Sequence, residues 1–332
     1  MLEKKQISMK ELAQFGSVKN LSEQAKTLVA HQKSVWELAK INFNALNSIQ
    51  TKTFDFGHFK IIAQFNPERI RSSAAKLDSK SIAKRPCFLC LKNLPIQQSG
   101  LVFQQKYLIL ANPYPIFPIH LTISHSEHIV QEIRNYFADM LEISKELPDF
   151  TVFYNGPKTG ASAPDHFHFQ AAIKGFMPVE KEFSNLEENH SESIFLTPNS
   201  KVIAVKNYLR KFVAIISNKP SEIIAQFEKI YAILDTTEFE EPMLNILCHF
   251  EDGKWIAIIF PREKQRPSHF FRTGKNKIVT SPASVELGGI LVLPREEDFV
   301  KITKKEIQEI YEEVTINQVT FNKIITKIRV LR

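Results

Sequence analysis

Three polar side chains in residues 166–170 are spaced so that they could act together on one substrate. The run His166-Phe167-His168-Phe169-Gln170 places a polar residue at every second position. Alternate residues of a β-strand point to the same face, so two imidazoles and a carboxamide would lie side by side. Imidazole can act as a nucleophile near neutral pH, and a carboxamide can donate hydrogen bonds to an anion. The other interpretation is an ordinary strand with one polar and one aromatic face.

A loop rich in small residues comes directly before this run. It covers residues 154–164, YNGPKTGASAP. Small residues let backbone N–H groups approach an anion closely, so the loop could hold the oxygens of a phosphate group. Its candidate substrate-binding residues are Asn155, Gly156, Lys158 and Ser162. The alternative is an ordinary turn before a strand, with Lys158 in solvent.

Two arginines, Arg69 and Arg71, lie in a small basic cluster upstream. Guanidinium groups bind phosphates through paired hydrogen bonds, so both residues are candidates for contacting a substrate phosphate. A solvated surface segment would have the same composition.

Cys87 and Cys90 form a C-x-x-C pair. Two thiolates at this spacing are half of a tetrahedral zinc site, and a half site needs two further ligands. The alternative is a pair of small buried residues, which is common for cysteines in a reducing compartment.

The histidine run and the segment before it resemble a known family. Residues 112–128, NPYPIFPIHLTISHSEH, are similar to the lead-in of histidine-triad proteins. The glutamine that closes the run resembles their transferase branch, which contains galactose-1-phosphate uridylyltransferase, diadenosine tetraphosphate phosphorylase and GDP-galactose phosphorylase. Residues 64–69 and 281–299 resemble GDP-galactose phosphorylases more loosely, so the resemblance touches about residues 58–320.

The resemblance implies covalent catalysis. His168 would attack the α-phosphorus of a nucleotide and form a nucleotidyl-histidine, while Gln170, Ser162 and the backbone near Asn155 and Gly156 would stabilise the phosphates. The expected function is a nucleotidyltransferase or phosphorylase acting on a nucleoside diphosphate-sugar or a dinucleoside polyphosphate. The alternatives are a nucleotide hydrolase of the same superfamily and a non-catalytic nucleotide-binding protein.

The resemblance also completes the metal site. In the uridylyltransferase branch, the cysteine pair is joined by two histidines whose matching positions here are His128 and His166. The expected cofactor is a structural zinc ion, because four protein ligands leave no open position for chemistry. Asp165 departs from the family pattern, and could either orient His166 or cap the turn.

Hydrophobic patterns predict the elements that position these residues. The patterns predict an N-terminal helical segment (1–57), an α+β half (58–181), a polar linker (182–199) and a second α+β half (200–332). The resemblance implies that both halves are histidine-triad-like, that 58–181 is the catalytic half, and that 200–332 lacks the triad. Helices are predicted over residues 127–147 and from Lys304 onward. The predicted fold class is therefore α+β, with two histidine-triad-like halves whose antiparallel sheets are backed by helices.

Composition limits the function further. The 332 residues are 43% hydrophobic and carry a formal charge of +7, with lysines and arginines scattered along the chain. Such scattering does not favour nucleic-acid binding, and no run approaches the roughly 20 apolar residues of a membrane span. With three cysteines, a reducing compartment is favoured. We therefore expect a cytoplasmic protein with no nucleic-acid or membrane partner. The family resemblance implies a nucleotide-containing small-molecule substrate and a possible homodimer.

Overall fold

The structure, a computed structural model, describes residues 2–70, 82, 85–234 and 241–330. Helices lie mainly at the two ends of the chain and between pairs of strands. In chain order they are α1 (Met9–Leu12), α2 (Leu21–Val35), α3 (Glu37–Ala45), α4 (Phe137–Glu146), α5 (Pro178–Asn189), α6 (Pro220–Leu234), α7 (Ser268–Phe271), α8 (Ser284–Leu287), α9 (Glu296–Lys301), α10 (Lys304–Val314) and α11 (Gln318–Val330).

The strands lie between α3 and α9. They are β1 (Gln50–Asp55), β2 (Lys60–Phe65), β3 (Gly100–Phe103), β4 (Tyr107–Ala111), β5 (His120–His125), β6 (Phe150–Asn155), β7 (His168–Ile173), β8 (Ser191–Leu196), β9 (Ser200–Val205), β10 (Phe212–Ser217), β11 (Leu244–Glu251), β12 (Lys254–Pro261) and β13 (Ile290–Leu293).

Ten strands form one antiparallel sheet that runs through both halves, in the order β3-β4-β5-β7-β6-β11-β12-β10-β9-β8. The halves join where β6 pairs with β11, from Asn155 opposite Asn245 to Val152 opposite Cys248. Each half has the same topology: β7 lies between β5 and β6, as β12 lies between β10 and β11. The predicted α+β class with two similar halves is confirmed.

Hydrophobic cores cover both faces of this sheet. Helices α2, α3, α4, α6 and α11 pack on one face, where the rings of Phe137 and Phe227 stack at 3.8 Å between α4 and α6. Helices α5, α8, α9 and α10 pack on the other face, together with a smaller sheet in the order β1-β2-β13. Cover on both faces explains why every residue of β5 and β6 is buried, including their polar residues.

Strand β7 divides its side chains between these two layers. Phe169 and Ala171 belong to the helical core, whereas Ala172 belongs to the core on the opposite face. Because residues two apart point to the same side, His168 and Gln170 face the smaller sheet with Ala172. The strand begins at His168, so the predicted alignment holds for His168 and Gln170 but does not include His166.

The helix predicted over residues 127–147 begins only at Phe137. Residues before it use their backbone to hold the histidine run instead. Phe167 N–H donates to Ile129 O at 2.7 Å, and Gln131 N–H donates to Pro164 O at 3.3 Å. These bonds compete with the helical pattern, which explains why periodicity alone extended the helix too far.

Residues 182–199, predicted as a polar linker, are not an irregular connection. They contain most of α5 and all of β8, which pairs with β9 at the edge of the large sheet. Helix α5 buries Phe183 and Leu186 among many polar residues, so its composition looks like that of a loop. The N-terminal segment contains α1 to α3 as predicted, but its last residues form β1.

The C-terminal helix predicted from Lys304 is divided into α10 and α11. Thr315, between them, forms an isolated β-bridge with Arg262, which ends the helical run. Among the helices of the described residues, none has the length and apolar character needed to cross a membrane.

Candidate active site

A cavity of about 520 Å³ opens beside the start of β7. Ligand cavities commonly measure roughly 300–1,000 Å³, so a nucleotide-sized molecule would fit. One part of its wall is polar and another part is apolar. The polar part includes Arg69, Arg85, Asn155, His168, Gln170 and Arg266, and the apolar part includes Trp36, Leu38, Leu94 and Leu110.

The His168 ring, the predicted nucleophile, lies in the cavity wall. It is buried, and its Nδ1 lies 2.9 Å from His166 O. A carbonyl oxygen only accepts, so Nδ1 carries the proton and Nε2 keeps a lone pair. Burial lowers the pKa of His168 to about 4, so the ring is neutral near pH 7. A neutral imidazole with a free nitrogen is the form that attacks phosphorus.

The carboxamide of Gln170 is held in one orientation by His120. Ile116 N–H donates to His120 Nδ1 at 3.1 Å, so Nε2 of that ring carries the proton and donates to Gln170 Oε1 at 2.9 Å. Asn112 Nδ2 approaches the same oxygen at 3.4 Å. With its oxygen occupied, Gln170 has its NH₂ group left to donate to a ligand.

The carboxamide of Asn155 is oriented in a similar way, but by the second half. Its Oδ1 accepts from Asn245 Nδ2 at 2.8 Å and from Ser284 N–H at 2.9 Å. Arg262 in turn holds Asn245, because its Nη1 donates to Asn245 Oδ1 at 2.6 Å. These bonds leave the Asn155 NH₂ group as the donor for a ligand in the cavity.

Close packing explains why the 154–164 loop has glycine at two positions. Gly160 has a φ of +109°, and a Cβ there would lie 2.5 Å from Ala283 Cβ of the second half. A Cβ on Gly156 would lie 2.8 Å from Thr159 Oγ1 and 2.9 Å from Glu241 Oε2. Small residues therefore let the second half approach the loop. Gly160 lines the cavity, whereas Gly156 lies outside the lining formed by described residues.

The other predicted binding residues are distributed unevenly. Arg69 lines the cavity, and its Nη1 donates to Tyr114 O at 2.6 Å. Ser162 lines it too. Lys158 instead borders a separate open depression. Arg71 lies outside the described residues.

Cys87, Cys90, His128 and His166 come together as a possible metal site. Their four ligand atoms lie within 4.8 Å of one another. Sulfur–nitrogen separations are 3.3 Å for Cys87–His166, 3.1 Å for Cys90–His128 and 3.6 Å for Cys90–His166. A tetrahedral ion with usual zinc bond lengths requires about 3.5 Å between such atoms. The donor set and spacing therefore fit a metal ion of this kind.

Neighbouring groups orient both histidines of this cluster. His166 Nε2 lies 2.9 Å from His125 O, so it carries the proton and Nδ1 faces the sulfurs. His128 Nε2 lies 3.7 Å from Asp165 Oδ2, while its Nδ1 faces Cys90. The Asp165 carboxylate therefore faces the ring of His128.

Comparison with known proteins supports the fold. Residues 28–173 match the family "Domain of unknown function (DUF4922)", and residues 184–331 match "GDPGP1-like, C-terminal domain". No curated protein matches the chain. Yeast Ap4A phosphorylase Apa2 in complex with Ap4A superposes with a TM-score of 0.55 at 15% identity, covering 90% of this chain and 99% of that chain.

A further crystal structure of yeast Apa2 gives a TM-score of 0.54 at 15% identity, covering 86% of this chain and 94% of that one. The chain has the fold of the transferase branch of the histidine-triad superfamily. The predicted resemblance is confirmed. A uridylyltransferase mutant superposes with a TM-score of 0.38 at 12% identity, covering 75% of this chain and 93% of that one.

Within this transferase-branch fold, the second half supplies a cavity residue that sequence analysis missed. Glu286 is the one acidic side chain among the described lining residues, and its Oε2 accepts from Ala283 N–H at 2.8 Å. Burial raises its pKa to about 7, although Arg69 and Arg262 act in the opposite direction. It lies in residues 281–299, whose resemblance to GDP-galactose phosphorylases was the available signal.

Proposed function

We propose that the protein is a nucleotidyltransferase or phosphorylase that acts on a nucleoside diphosphate-sugar or a dinucleoside polyphosphate. The observation that carries this proposal is the His168 ring, whose unprotonated Nε2 belongs to a cavity wall next to the oriented Gln170 carboxamide. Yeast Ap4A phosphorylase, which shares this fold, is known in complex with Ap4A, and this supports a nucleotide-containing substrate.

The reaction proceeds in two displacements at phosphorus. In the first, His168 Nε2 forms a bond to the α-phosphorus, and the phosphorus–oxygen bond to the leaving group breaks with both electrons on the leaving oxygen. In the second, an oxygen of inorganic phosphate or of a sugar phosphate attacks the same phosphorus. The nitrogen–phosphorus bond then breaks, and His168 returns to its neutral form.

Polar side chains of the cavity stabilise the phosphoryl oxygens. The NH₂ groups of Gln170 and Asn155 are the donors left after their oxygens are occupied, and donors fixed before the reaction need no reorganisation during it. Arg69, Arg85 and Arg266 supply positive charge to the same cavity. Three cations and two oriented amides suit a ligand that carries several phosphate oxygens.

The rest of the cavity suits the neutral parts of such a substrate. Leu110 lies on β4, and with Trp36, Leu38 and Leu94 it offers apolar surface for a base. A carboxylate repels phosphate, so Glu286 is suited to accept hydrogen bonds from hydroxyl or amino groups.

We propose that the ion held by Cys87, Cys90, His128 and His166 is zinc, in a structural role. Four protein ligands leave no position for a substrate, so the ion supplies cross-linking rather than catalysis. His166 is two residues from His168, and its carbonyl accepts the Nδ1 proton of that ring. The cluster therefore holds the backbone that orients the nucleophile. Thiolate ligands also fit a reducing cytoplasmic location, and the homodimer stays a prediction.

The proposal is tested by trapping the covalent intermediate. Nucleoside diphosphate-sugars and dinucleoside polyphosphates, each with a labelled α-phosphate, are incubated with the protein in the absence of acceptor and then denatured at alkaline pH. Wild type should retain label, His168→Asn should retain none, and added phosphate should release it. His249→Asn, which changes a buried histidine of β11, is the matched control. Equal labelling of wild type and His168→Asn contradicts the mechanism.

A further inference from the structure

The side-chain amide of Gln131 is hydrogen-bonded to two strands at the cavity. Its Oε1 accepts from His168 N–H at 2.8 Å, and its Nε2 donates to His168 O at 2.9 Å and to Asn155 O at 3.0 Å. Gln131 is buried, at 2% exposure, in the irregular stretch before α4. The oxygen and the NH₂ group of one carboxamide are thus all hydrogen-bonded to the backbone of His168 and Asn155, two residues of the cavity wall.

These bonds replace a missing step of the β-ladder. Strands β6 and β7 pair from Phe150 opposite Ile173 to Phe153 opposite Gln170. Continuing that register would place Asn155 opposite His168, but the pairing stops before this point. The Gln131 carboxamide, which has the same donor and acceptor groups as a peptide unit, lies between the two backbones instead. The two strands therefore separate between Asn155 and His168, just beyond the Phe153–Gln170 pair.

We propose that Gln131 is a positioning residue that sets the separation and orientation of His168 and Asn155. The inference rests on the proposed function, since it concerns where the nucleophile and the phosphoryl-binding amide lie relative to each other. His168 has its N–H and C=O fixed by Gln131 and its ring fixed by His166 O. Rotation of the backbone at His168 would move Nε2 away from the line of attack.

Gln131 also holds the backbone of Asn155, on the strand opposite His168. Asn155 O accepts from Gln131 Nε2, and Asn155 Oδ1 is held by Asn245 and Ser284. Without Gln131, closing the ladder would bring the two strands together and narrow the gap between His168 and Asn155. Loss of Gln131 should therefore impair the chemical step more than the binding of a nucleotide.

Two variants test this inference. Gln131→Met keeps the length of the side chain but cannot make these hydrogen bonds. Gln131→Glu keeps an acceptor for His168 N–H, but its second oxygen faces the carbonyl oxygens of His168 and Asn155 and repels them. Gln32→Met is the matched control, because Gln32 is a buried glutamine whose Nε2 donates to Gln97 O at 3.2 Å and Ser99 Oγ at 3.1 Å. For each protein we would measure the single-turnover labelling rate of His168, the Kd of AMP and of GMP, and the melting temperature.

Labelling by Gln131→Met should fall about 100-fold, the cost of roughly 1 Å of misplacement, while the Kd of the nucleotide that binds changes less than about threefold. Gln131→Glu should be slower still, and Gln32→Met should react like wild type. A labelling rate for Gln131→Met within about threefold of wild type, or equal losses of labelling and nucleotide binding in Gln131→Met and Gln32→Met, overturns the inference.

A second measurement separates this inference from the function. In ¹⁵N-histidine-labelled protein, the His168 amide should exchange slowly in wild type and at least about tenfold faster in Gln131→Met, because its acceptor is gone. Unchanged exchange overturns the positioning role even if the enzyme is active. Absence of label on wild-type His168 overturns the proposed function, while faster exchange in the variant still supports the contact.

Discussion

Asn245 Nδ2 donates a hydrogen bond to Asn155 Oδ1 at 2.8 Å, across the junction of β6 and β11. The donor belongs to the second half of the chain and the acceptor to the first. Since a carboxamide can rotate by half a turn, this bond and the one from Ser284 N–H to the same oxygen at 2.9 Å together make Asn155 present its NH₂ group, and not its oxygen, to the cavity. The second half therefore orients a proposed ligand-binding residue of the first half.

Asn245→Asp should slow nucleotide transfer. The change replaces the donor with an oxygen, so the donation to Asn155 is lost, while the contact with Arg262 remains possible. The new carboxylate oxygen would repel Asn155 Oδ1 and leave only Ser284 N–H to orient that amide, so we expect kcat to fall about 10- to 100-fold. The check is steady-state transfer kinetics, with Asn189→Asp on the exposed end of α5 as control. Wild-type kcat in Asn245→Asp would refute this role.

His120→Phe should have a similar effect through Gln170. The variant removes the proton that His120 Nε2 donates to Gln170 Oε1, so the carboxamide loses the contact that fixes its NH₂ group. We expect kcat to fall about 10- to 100-fold with little change in the Kd of AMP, because the amide acts on charge that develops in the transition state. Rapid-quench and binding measurements test this. A rise in Kd without a change in kcat would contradict it.

Cys90→Ser should lower metal content, stability and activity together. Cys90 Sγ lies 3.1 Å from His128 Nδ1 and 3.6 Å from His166 Nδ1, so its loss removes a ligand that faces both histidines. We expect substoichiometric zinc by elemental analysis, a lower melting temperature, and activity reduced about 10- to 100-fold. Cys248→Ser, a buried thiol on β11, is the control and should keep its metal. Full metal content in Cys90→Ser would exclude this ligand set.

Glu241 makes stability depend on pH. This buried carboxyl accepts from Ile133 N–H at 2.6 Å and from Tyr154 O–H at 2.7 Å, and burial raises its pKa to about 8. In the unfolded chain its pKa is near 4.5. Between these values the native state holds a proton that the unfolded state has released. The free energy of unfolding therefore falls as pH rises through this window, and the loss is complete above about pH 8.

Glu241→Gln should remove this slope, since the amide stays neutral. Wild type should lose stability relative to the variant by on the order of 1 kcal/mol per pH unit until about pH 8. Urea unfolding at several pH values between 5 and 9 measures the difference, with Glu188→Gln on exposed α5 as control. Parallel pH profiles for wild type and Glu241→Gln would show that the carboxyl ionises normally.

Much of the first half could be predicted because its sequence signals are local. The alternation around Phe169 predicted that His168 and Gln170 share a face, and the structure places both on the cavity wall. The cysteine spacing and the family resemblance predicted the four candidate metal ligands, and these residues meet as expected. In both cases residue type and spacing, or position in a known motif, carried the information.

The remaining contacts depend on chain segments far apart in sequence. Nothing near Asn245 or Ser284 indicates that they would hold Asn155, because 90 residues or more separate them from it. Gln131 was hidden inside an apolar pattern that predicted a helix. Gly156 was interpreted as a phosphate contact, but its small size is needed next to Thr159 and Glu241. Hydrophobic periodicity indicates which face of a helix or strand is buried, but it does not indicate which distant segment of the chain packs on that face.

The unbroken ten-stranded sheet limits how this molecule can move. Pivoting of one half against the other would break the backbone ladder between β6 and β11, which is buried on both faces by the two cores. We therefore expect motions during turnover to involve mainly side chains and connections around the cavity mouth. A rigid frame of this kind would keep His168 and the second-half groups in one geometry through the two proposed displacements, so that ligand exchange would require no hinge between the halves.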